Sequence, residues 1–304
     1  MSGLAAALAL LAAGVTNSHA TPTRIPTPRP VAAEQEVEVV EGDADRHRRM
    51  TIPVAVEGSG PYDFVIDTGS QRTVLSTALA SRLALEPGPM VTIVGVAGTE
   101  AAQTAYIEQL ELGKREYFGL HAPLFASEHI GADGIIGTDS LQDQRVLIDF
   151  SRNLMEIGSQ QSLGGNRGYE IVVKARAMSG QLVLTNAVID GIKTAVIIDT
   201  GAAYSVGNRA LQQKLANKRS GGIVTLHSVT GQTAEAEIGF ARTLELRSYQ
   251  IQNLVIAYTD SPAFTELGLD EQPALFLGMR ELRLFKRVAI DFSSRRVLFD
   301  VPRS

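Results

Sequence analysis

Residues 64–70 read Phe-Val-Ile-Asp-Thr-Gly-Ser, and residues 196–202 read Val-Ile-Ile-Asp-Thr-Gly-Ala. One short phrase, a hydrophobic run followed by Asp-Thr-Gly, therefore occurs twice. Its two aspartates stand at positions 67 and 199, which are 132 residues apart in a chain of 304. A spacing of nearly half the chain predicts one lobe folded twice, with the two carboxyls facing each other.

The repeat extends beyond these phrases. Its offset grows from 132 to 142 residues toward the C-terminus, as expected when loops of the second half have lengthened, because loops tolerate insertions that strands do not. The later matches are Leu110-Glu111-Leu112 with Leu244-Glu245-Leu246, Ile135-Ile136-Gly137 with Phe276-Leu277-Gly278, and Ile148-Asp149-Phe150 with Ile290-Asp291-Phe292.

Each half has mainly the pattern of strands. Alternating hydrophobic residues over Glu36–Glu41 and Thr51–Glu57 predict a hairpin around the charged turn Gly42–Arg49. A short helix is expected after each Asp-Thr-Gly phrase, over Ser76–Leu83 and Asn208–Leu215. We therefore expect an all-β protein with a few short helices.

These features divide the chain into five segments. Two lobes over residues 36–158 and 169–304 are expected, and each has the usual size of a domain. The Gly-, Gln- and Ser-containing stretch 159–168 is the expected linker between them. Residues 1–20 and the Pro- and Thr-rich tether 21–35 precede the first lobe.

The N-terminus resembles a signal peptide. Leu4–Val15 is rich in alanine and leucine and too short to span a bilayer, and Ser18-His19-Ala20 offers small residues for cleavage. We therefore expect a periplasmic or secreted protein with no stable membrane span. Met1-Ser2-Gly3 contains no Lys or Arg, so a loosely docked leader stays open as the alternative.

Composition excludes several classes of function. The net charge of −5 provides no basic surface for nucleic acid, so we expect no nucleic-acid partner. The absence of cysteine excludes disulfides, a thiol nucleophile and zinc–thiolate sites. The histidines at positions 19, 47, 121, 129 and 227 lack a metal-ligand spacing, and we expect neither a metal nor another cofactor.

Paired aspartates are suited to hydrolysing a peptide bond. Water attacks an amide only slowly unless a base removes its proton and an acid polarises the carbonyl. Two carboxyls a few ångströms apart cannot easily both ionise, so they hold one proton and supply one base and one acid. Asp67 and Asp199 are therefore the predicted catalytic residues.

The paired Asp-Thr-Gly phrases and the later hydrophobic-hydrophobic-Gly phrases resemble those of the aspartic proteases. The resemblance covers residues 36–302. It implies the bilobal pepsin-like or retropepsin-like fold, in which two homologous β-barrel-like lobes enclose a cleft. The short halves are similar to retropepsin subunits, here joined in one chain. Because one chain supplies both aspartates, we expect a monomer.

The resemblance also implies supporting roles for the neighbours of the aspartates. Thr68 and Thr200 are expected to interlock across the lobes, and Gly69 and Gly201 to bring amides close to the carboxylates. Ile135, Ile136 and Gly137, with Phe276, Leu277 and Gly278, are expected to pack behind them as structural supports.

The two phrases differ at one position. The resemblance to pepsin-like enzymes implies that the Ser70 hydroxyl donates a hydrogen bond to Asp67, which Ala202 cannot do for Asp199. Such a bond lowers the pKa of a carboxyl, so this difference predicts a charged Asp67 and a protonated Asp199.

Each half also contains a candidate flap, a hairpin that closes over substrate. The predicted tips are Val96, Ala97 and Gly98 in the first half and Val229, Thr230 and Gly231 in the second. The alternative is that either hairpin is merely an exposed turn.

Three functions fit these observations. The first is an aspartic-type endopeptidase acting on peptide or protein. The second is a non-catalytic peptide-binding module with the same cleft, and the third is a scaffold whose Asp-Thr-Gly phrases are structural turns. The retention of both aspartates and both threonines favours the enzyme.

Overall fold

A computed structural model describes residues 50–113, 115–215 and 221–302, together with the backbone of residues 7, 8, 10, 11, 38–41, 43 and 44. Three β-sheets and five short helices make up this part of the chain. The predicted all-β, bilobal fold is confirmed.

The first lobe is a nine-stranded sheet in the order β4-β5-β6-β11-β7-β10-β9-β8-β2. Its elements are β2 (Leu10–Leu11), β4 (Asp43–Ala44), β5 (Met50–Val56), β6 (Ser59–Ile66), β7 (Val74–Ser76), α1 (Thr77–Arg82), β8 (Pro87–Gly95), β9 (Thr99–Leu112), β10 (Arg115–Phe125), α2 (Ser127–Ile130) and β11 (Gly134–Ile136).

The second lobe is a nine-stranded sheet in the order β15-β16-β17-β22-β18-β21-β20-β19-β1, which matches the first lobe strand for strand. Its elements are β1 (Ala7–Leu8), β15 (Arg176–Met178), β16 (Gln181–Ile189), β17 (Ile192–Ile198), β18 (Ser205–Gly207), α3 (Arg209–Lys214), β19 (Ile223–Ser228), β20 (Thr233–Leu246), β21 (Tyr249–Tyr258), α4 (Pro262–Glu266), β22 (Ala274–Leu277) and α5 (Met279–Leu282).

A third sheet contains strands from both halves, in the order β14-β24-β23-β12-β13-β3. Residues 159–170 connect β13 to β14 within it, and this connection includes the expected linker 159–168. Its strands are β3 (Glu38–Glu41), β12 (Arg145–Asp149), β13 (Leu154–Gly158), β14 (Ile171–Lys174), β23 (Arg287–Asp291) and β24 (Arg296–Asp300). Buried residues of this sheet, such as Ile148 and Ile290, belong to one hydrophobic core with Ile52 of the first lobe and Leu244 of the second.

The predicted hairpin between Glu36–Glu41 and Thr51–Glu57 is wrong. β3 pairs with β13 in the third sheet, and β5 pairs with β4 and β6 instead. An alternating pattern identifies a strand but does not identify its partner, because every strand offers hydrogen bonds on both edges.

Both predicted helices that follow the Asp-Thr-Gly phrases are present. Ser76 caps α1 by accepting a hydrogen bond from the Leu79 amide, and Asn208 caps α3 by accepting one from the Leu211 amide. Side chains of this type satisfy amides that the first turn leaves unpaired, which fixes where each helix begins.

Most of the expected signal peptide over residues 1–20, and all of the expected tether over 21–35, lie outside the described residues. Within residues 1–20, β1 pairs in parallel with β19, and β2 pairs antiparallel with β8. None of the helices in the described residues is both long enough and apolar enough to cross a membrane.

A buried ion pair connects the two halves at the third sheet. The Arg145 guanidinium donates to Asp291 Oδ2 at 2.6 Å, and both side chains are fully buried. The same guanidinium donates to Asn166 Oδ1 at 2.8 Å and to the Gly165 carbonyl, both on the connection between β13 and β14. Burial disfavours the charge of Asp291, but hydrogen bonds from the Ser294 amide, Arg145 and Ser293 outweigh it and lower the pKa of this carboxyl.

We predict that Arg145→Met lowers the free energy of unfolding by about 3–5 kcal/mol, because it leaves the Asp291 carboxylate buried without its cation. Arg82→Met is the matched control, since Arg82 is 58% exposed and pairs with Asp133 at 3.4 Å on the surface. The control should cost less than about 1 kcal/mol. Urea denaturation of the full chain measures both, and equal losses would contradict a structural role for the buried pair.

Candidate active site

The ends of two equivalent strands bring the aspartates into the site. Asp67 follows β6 and Asp199 follows β17, and each strand lies parallel to the strand of its hydrophobic-hydrophobic-Gly phrase. The Asp67 amide donates to the Ile136 carbonyl and the Asp199 amide to the Leu277 carbonyl, both at 3.0 Å. These two strands, β11 and β22, therefore position the aspartate backbones.

The glycines that end these phrases permit a close backbone contact. A Cβ atom on Gly137 would lie 2.3 Å from the backbone carbonyl of Arg72, and one on Gly278 would lie 2.6 Å from that of Tyr204. Neither position has room for a side chain. The structure thus places Ile135–Gly137 and Phe276–Gly278 directly behind the aspartate loops.

Thr68 and Thr200 bond across the boundary between the lobes. Thr68 Oγ1 donates to the Ile198 carbonyl, and Thr200 Oγ1 donates to the Ile66 carbonyl, both at 2.7 Å. The backbone amide of each threonine donates to the hydroxyl of the other, at 3.0 and 3.3 Å. These reciprocal bonds fix the two aspartate loops relative to each other.

Backbone amides hold the inner oxygen of each carboxyl. Asp67 Oδ1 accepts from the Gly69 amide at 2.8 Å. Asp199 Oδ1 accepts from the amides of Gly201 and Ala202, both at 3.0 Å. A Cβ atom on Gly201 would lie 2.2 Å from Asp67 Cγ, so the second loop lies directly against the first carboxyl.

Asp199 is in an environment that favours its neutral form. It is fully buried, and Asp67 is 2% exposed. Burial, followed by the charge of Asp67, raises the pKa of Asp199 well above its ordinary value, although the Ala202 and Gly201 amides oppose this. Among the described residues, no amide or hydroxyl donates to Asp199 Oδ2. A protonated Asp199 can donate a hydrogen bond to Asp67, and burial together with the charge of Asp67 favours that form.

The predicted bond from Ser70 to Asp67 is wrong. Ser70 Oγ donates to the Arg72 carbonyl at 2.8 Å, and its single proton is thereby used. The local turn brings that carbonyl within reach of the hydroxyl two residues earlier, as short polar side chains often do in turns. The preference for a protonated Asp199 therefore arises from burial and from Asp67, not from a difference in hydroxyls.

Two supporting carboxyls were not found from the sequence. Thr73 Oγ1 donates to Asp139 Oδ1 at 2.8 Å and accepts from the Gly137 amide at 3.2 Å. In the second lobe, Ser205 Oγ donates to Glu281 Oε2 at 2.5 Å and accepts from the Gly278 amide at 3.1 Å. Each chain of bonds links an aspartate loop to the phrase behind it.

A signal for these carboxyls was present in the repeat. Thr73 and Ser205 are both hydroxyl residues, six positions after their aspartates. The acids follow Gly137 by two residues and Gly278 by three, so a register without gaps does not align them. Burial raises the pKa of both Asp139 and Glu281, in each case against the effect of the hydroxyl bonds.

Gln181 is a further residue that sequence reasoning missed. Its side chain is fully buried at the start of β16, and its Nε2 donates to the carbonyl of Gly69. It therefore connects the second lobe to the loop that carries Asp67. No motif marked this position, because the contact joins residues 112 positions apart.

The candidate flaps are two hairpins whose ends meet. Val96–Gly98 connect β8 to β9, and residues 229–232 connect β19 to β20. Gln232 Nε2 of the second hairpin donates to the Thr99 carbonyl of the first at 3.4 Å. A Cβ atom on Gly95 would lie 2.6 Å from Ser228 Oγ, which shows how closely the strands approach.

The hairpins also exchange hydrophobic contacts between the lobes. Val96 is fully buried in a cluster with Leu226 and Phe264 of the second lobe. Val229 is 1% exposed in a cluster with Val91 and Ile130 of the first lobe. Each tip thus packs against the opposite half of the molecule.

The sequence matches the aspartyl protease family over residues 52–140 and 185–280, one stretch in each lobe. These stretches cover more than half of the chain, and the chain belongs to the aspartyl protease family. Among curated proteins, none matches this sequence. The resemblance inferred from the paired phrases is confirmed, and it assigns the chain to hydrolases that act on peptides.

We predict that Asp67→Asn lowers the pKa of Asp199 but leaves it above the ordinary aspartate value. The substitution removes the neighbouring charge while burial, the larger cause, remains. Carbon-13 NMR of labelled aspartate carboxyls, recorded as the pH is varied, measures this change. An unchanged Asp199 titration would show that the two carboxyls do not interact.

Proposed function

We propose that this protein is an aspartic-type endopeptidase that cleaves peptide bonds with water activated by Asp67 and Asp199. One observation carries the proposal: two buried carboxyls, one from each lobe, meet where burial and mutual repulsion favour a single shared proton. Structural turns alone would not require two carboxyls to be buried against each other.

The two carboxyls divide the reaction between them. Ionised Asp67 takes a proton from water, whose oxygen then bonds to the carbonyl carbon of the substrate. Protonated Asp199 gives its proton to the carbonyl oxygen, which produces a neutral tetrahedral diol. In the second step a hydroxyl proton returns to Asp199, the proton on Asp67 passes to the amide nitrogen, and the C–N bond breaks.

This division predicts how activity depends on pH. Activity falls at low pH as Asp67 becomes protonated, and it falls at high pH as Asp199 loses its proton. Because the pKa of Asp199 is raised, the upper pH limit of activity lies above the ordinary pKa range of an aspartate.

Val96 and Val229 at the hairpin tips would exclude water from the cleft when substrate is bound.

We predict that Asp67→Asn and Asp199→Asn each reduce kcat/KM for peptide cleavage by about 10²- to 10⁴-fold, because an amide can serve as neither base nor acid. The Asn side chain retains the shape of Asp, so circular dichroism should be unchanged. Glu128→Gln, an exposed carboxyl 82% accessible on α2, is the matched control and should retain activity. Substantial turnover by either Asn variant would contradict the mechanism.

Inhibitors give an independent test of the same site. A statine-type inhibitor resembles the tetrahedral diol and should block cleavage. A metal chelator should have no effect if two carboxyls activate the water. Peptide binding without any cleavage would instead indicate the binding module.

We further propose that the protein acts in the periplasm or outside the cell, as a monomer. The apolar run Leu4–Val15 and the small residues before Thr21 support export, and the presence of both aspartates in one chain supports a monomer.

Export predicts that the mature chain begins near Thr21. N-terminal sequencing of the native protein from fractionated cells measures this directly. An intact Met1 on protein from the cytoplasm would contradict export.

Size-exclusion chromatography with light scattering would test whether the protein is a monomer, and a stable dimer would contradict this proposal.

A further inference from the structure

We propose that a cavity beside the first hairpin binds a Lys or Arg side chain of the peptide substrate, an inference that rests on the proposed peptidase function. The cavity measures about 470 Å³. It lies between Val94 and Thr99 of the first hairpin and the segment that carries α4 in the second lobe. Its volume is in the range of ligand-binding cavities and exceeds what one side chain requires.

The cavity depends on a difference between the lobes. In the second lobe, residues 259–273 connect β21 to β22, whereas in the first lobe residues 126–133 connect β10 to β11. The longer connection contains α4 and supplies most of the cavity lining. The second hairpin packs directly on the shorter connection of the first lobe, because a Cβ atom on Gly231 of that hairpin would lie 2.4 Å from His129.

The lining combines apolar and acidic residues. Val94, Pro262 and Phe264 supply the apolar surface. Asp260, Glu266 and Asp270 supply carboxylates. A long cationic side chain matches this arrangement, because its methylene groups pack on apolar surface while its charge remains near acids and water.

The cation already present in the lining does not neutralise these acids. Arg209 lies 2.7 Å from Glu237, which is outside the lining, and 3.6 Å from Asp260. Within the described part of the chain, no cation lies within ion-pairing distance of Glu266 or Asp270. The cavity therefore has a net negative charge that a substrate cation would offset.

The described backbone of residues 10 and 11 forms a short strand beside the cavity. β2 pairs antiparallel with β8 at Val94 and Gly95, and it also contacts α4. A peptide bound along the same edge would pass between the first hairpin and α4. Its side chains point alternately to opposite faces, so one of them can enter the cavity.

The test compares quenched fluorogenic peptides that share one cleavable centre. One flanking position at a time carries Lys, norleucine or Glu. At the position that enters the cavity, Lys should raise kcat/KM about tenfold over norleucine, and Glu should lower it, as expected for two partly exposed ion pairs. The advantage of Lys should shrink at 0.5 M salt, roughly the range where screening shortens to a few ångströms.

Variants assign this preference to the cavity. The double substitution Glu266→Gln and Asp270→Asn should abolish the advantage of Lys while cleavage of the norleucine peptide continues. Glu128→Gln removes one acid from the corresponding helix of the first lobe and should leave the advantage unchanged. A Lys advantage that survives the double substitution, or no advantage at any position, would overturn the proposal.

Binding separates this inference from the proposed function. Dissociation constants for the same peptides are measured by fluorescence anisotropy with the Asp199→Asn variant, with and without the double substitution. If the unmodified chain cleaves no peptide faster than Asp67→Asn does, the proposed peptidase function is refuted. Tighter binding of the Lys peptide would still support the proposal that the cavity binds a cationic side chain. Equal binding of the Lys, norleucine and Glu peptides would refute it.

Discussion

The hydrogen bonds of Thr68 and Thr200 hold together two loops that their own carboxyls tend to drive apart. Each hydroxyl donates to a carbonyl of the opposite lobe and accepts from the amide of the other threonine. Loss of these bonds would leave buried carbonyls unpaired, at a cost of about 1–3 kcal/mol each. Repulsion between the carboxyls is then relieved by keeping a proton rather than by separating the lobes. The chemistry that we propose follows from this constraint.

A second layer of bonds keeps each loop in place. Thr73 with Asp139 and Ser205 with Glu281 connect the loops to the strands behind them, and both pairs repeat the same pattern of donor and acceptor. Asp67 and Asp199 nevertheless lie in different surroundings. The Gly69 carbonyl of the first loop accepts from Gln181 Nε2 of the second lobe, and Ser70 follows Gly69 where Ala202 follows Gly201. A duplicated scaffold thus gives two carboxyls in unequal surroundings, as the division into acid and base that we propose requires.

The sequence predicted the features that depend on short, repeated patterns. The Asp-Thr-Gly phrases, the strands that precede them and the helices capped by Ser76 and Asn208 are visible in neighbouring residues. The predictions that were wrong or missing have a common cause, because they concern contacts that form only when the chain folds. The partner of β3 is β13, the Ser70 hydroxyl finds the Arg72 carbonyl, and Gln181 reaches a loop 112 residues away. Asp139 and Glu281 were not predicted from the repeat, because one extra residue after Gly278 prevents an alignment of the two halves without gaps from pairing them.

The two lobes must have the same structure near the aspartates, whereas they may differ farther away. The loops, the threonines and the strands behind them must form one geometry from both sides, so the duplicated halves have kept the same strand order there. The hairpin tips also depend on both halves, because Val96 packs against the second lobe and Val229 against the first. The connection before β22 is free of this requirement and has become longer than the one before β11. The cavity that we propose as a subsite lies beside this longer connection, so a peptide that places a Lys or Arg side chain there would bind in one direction.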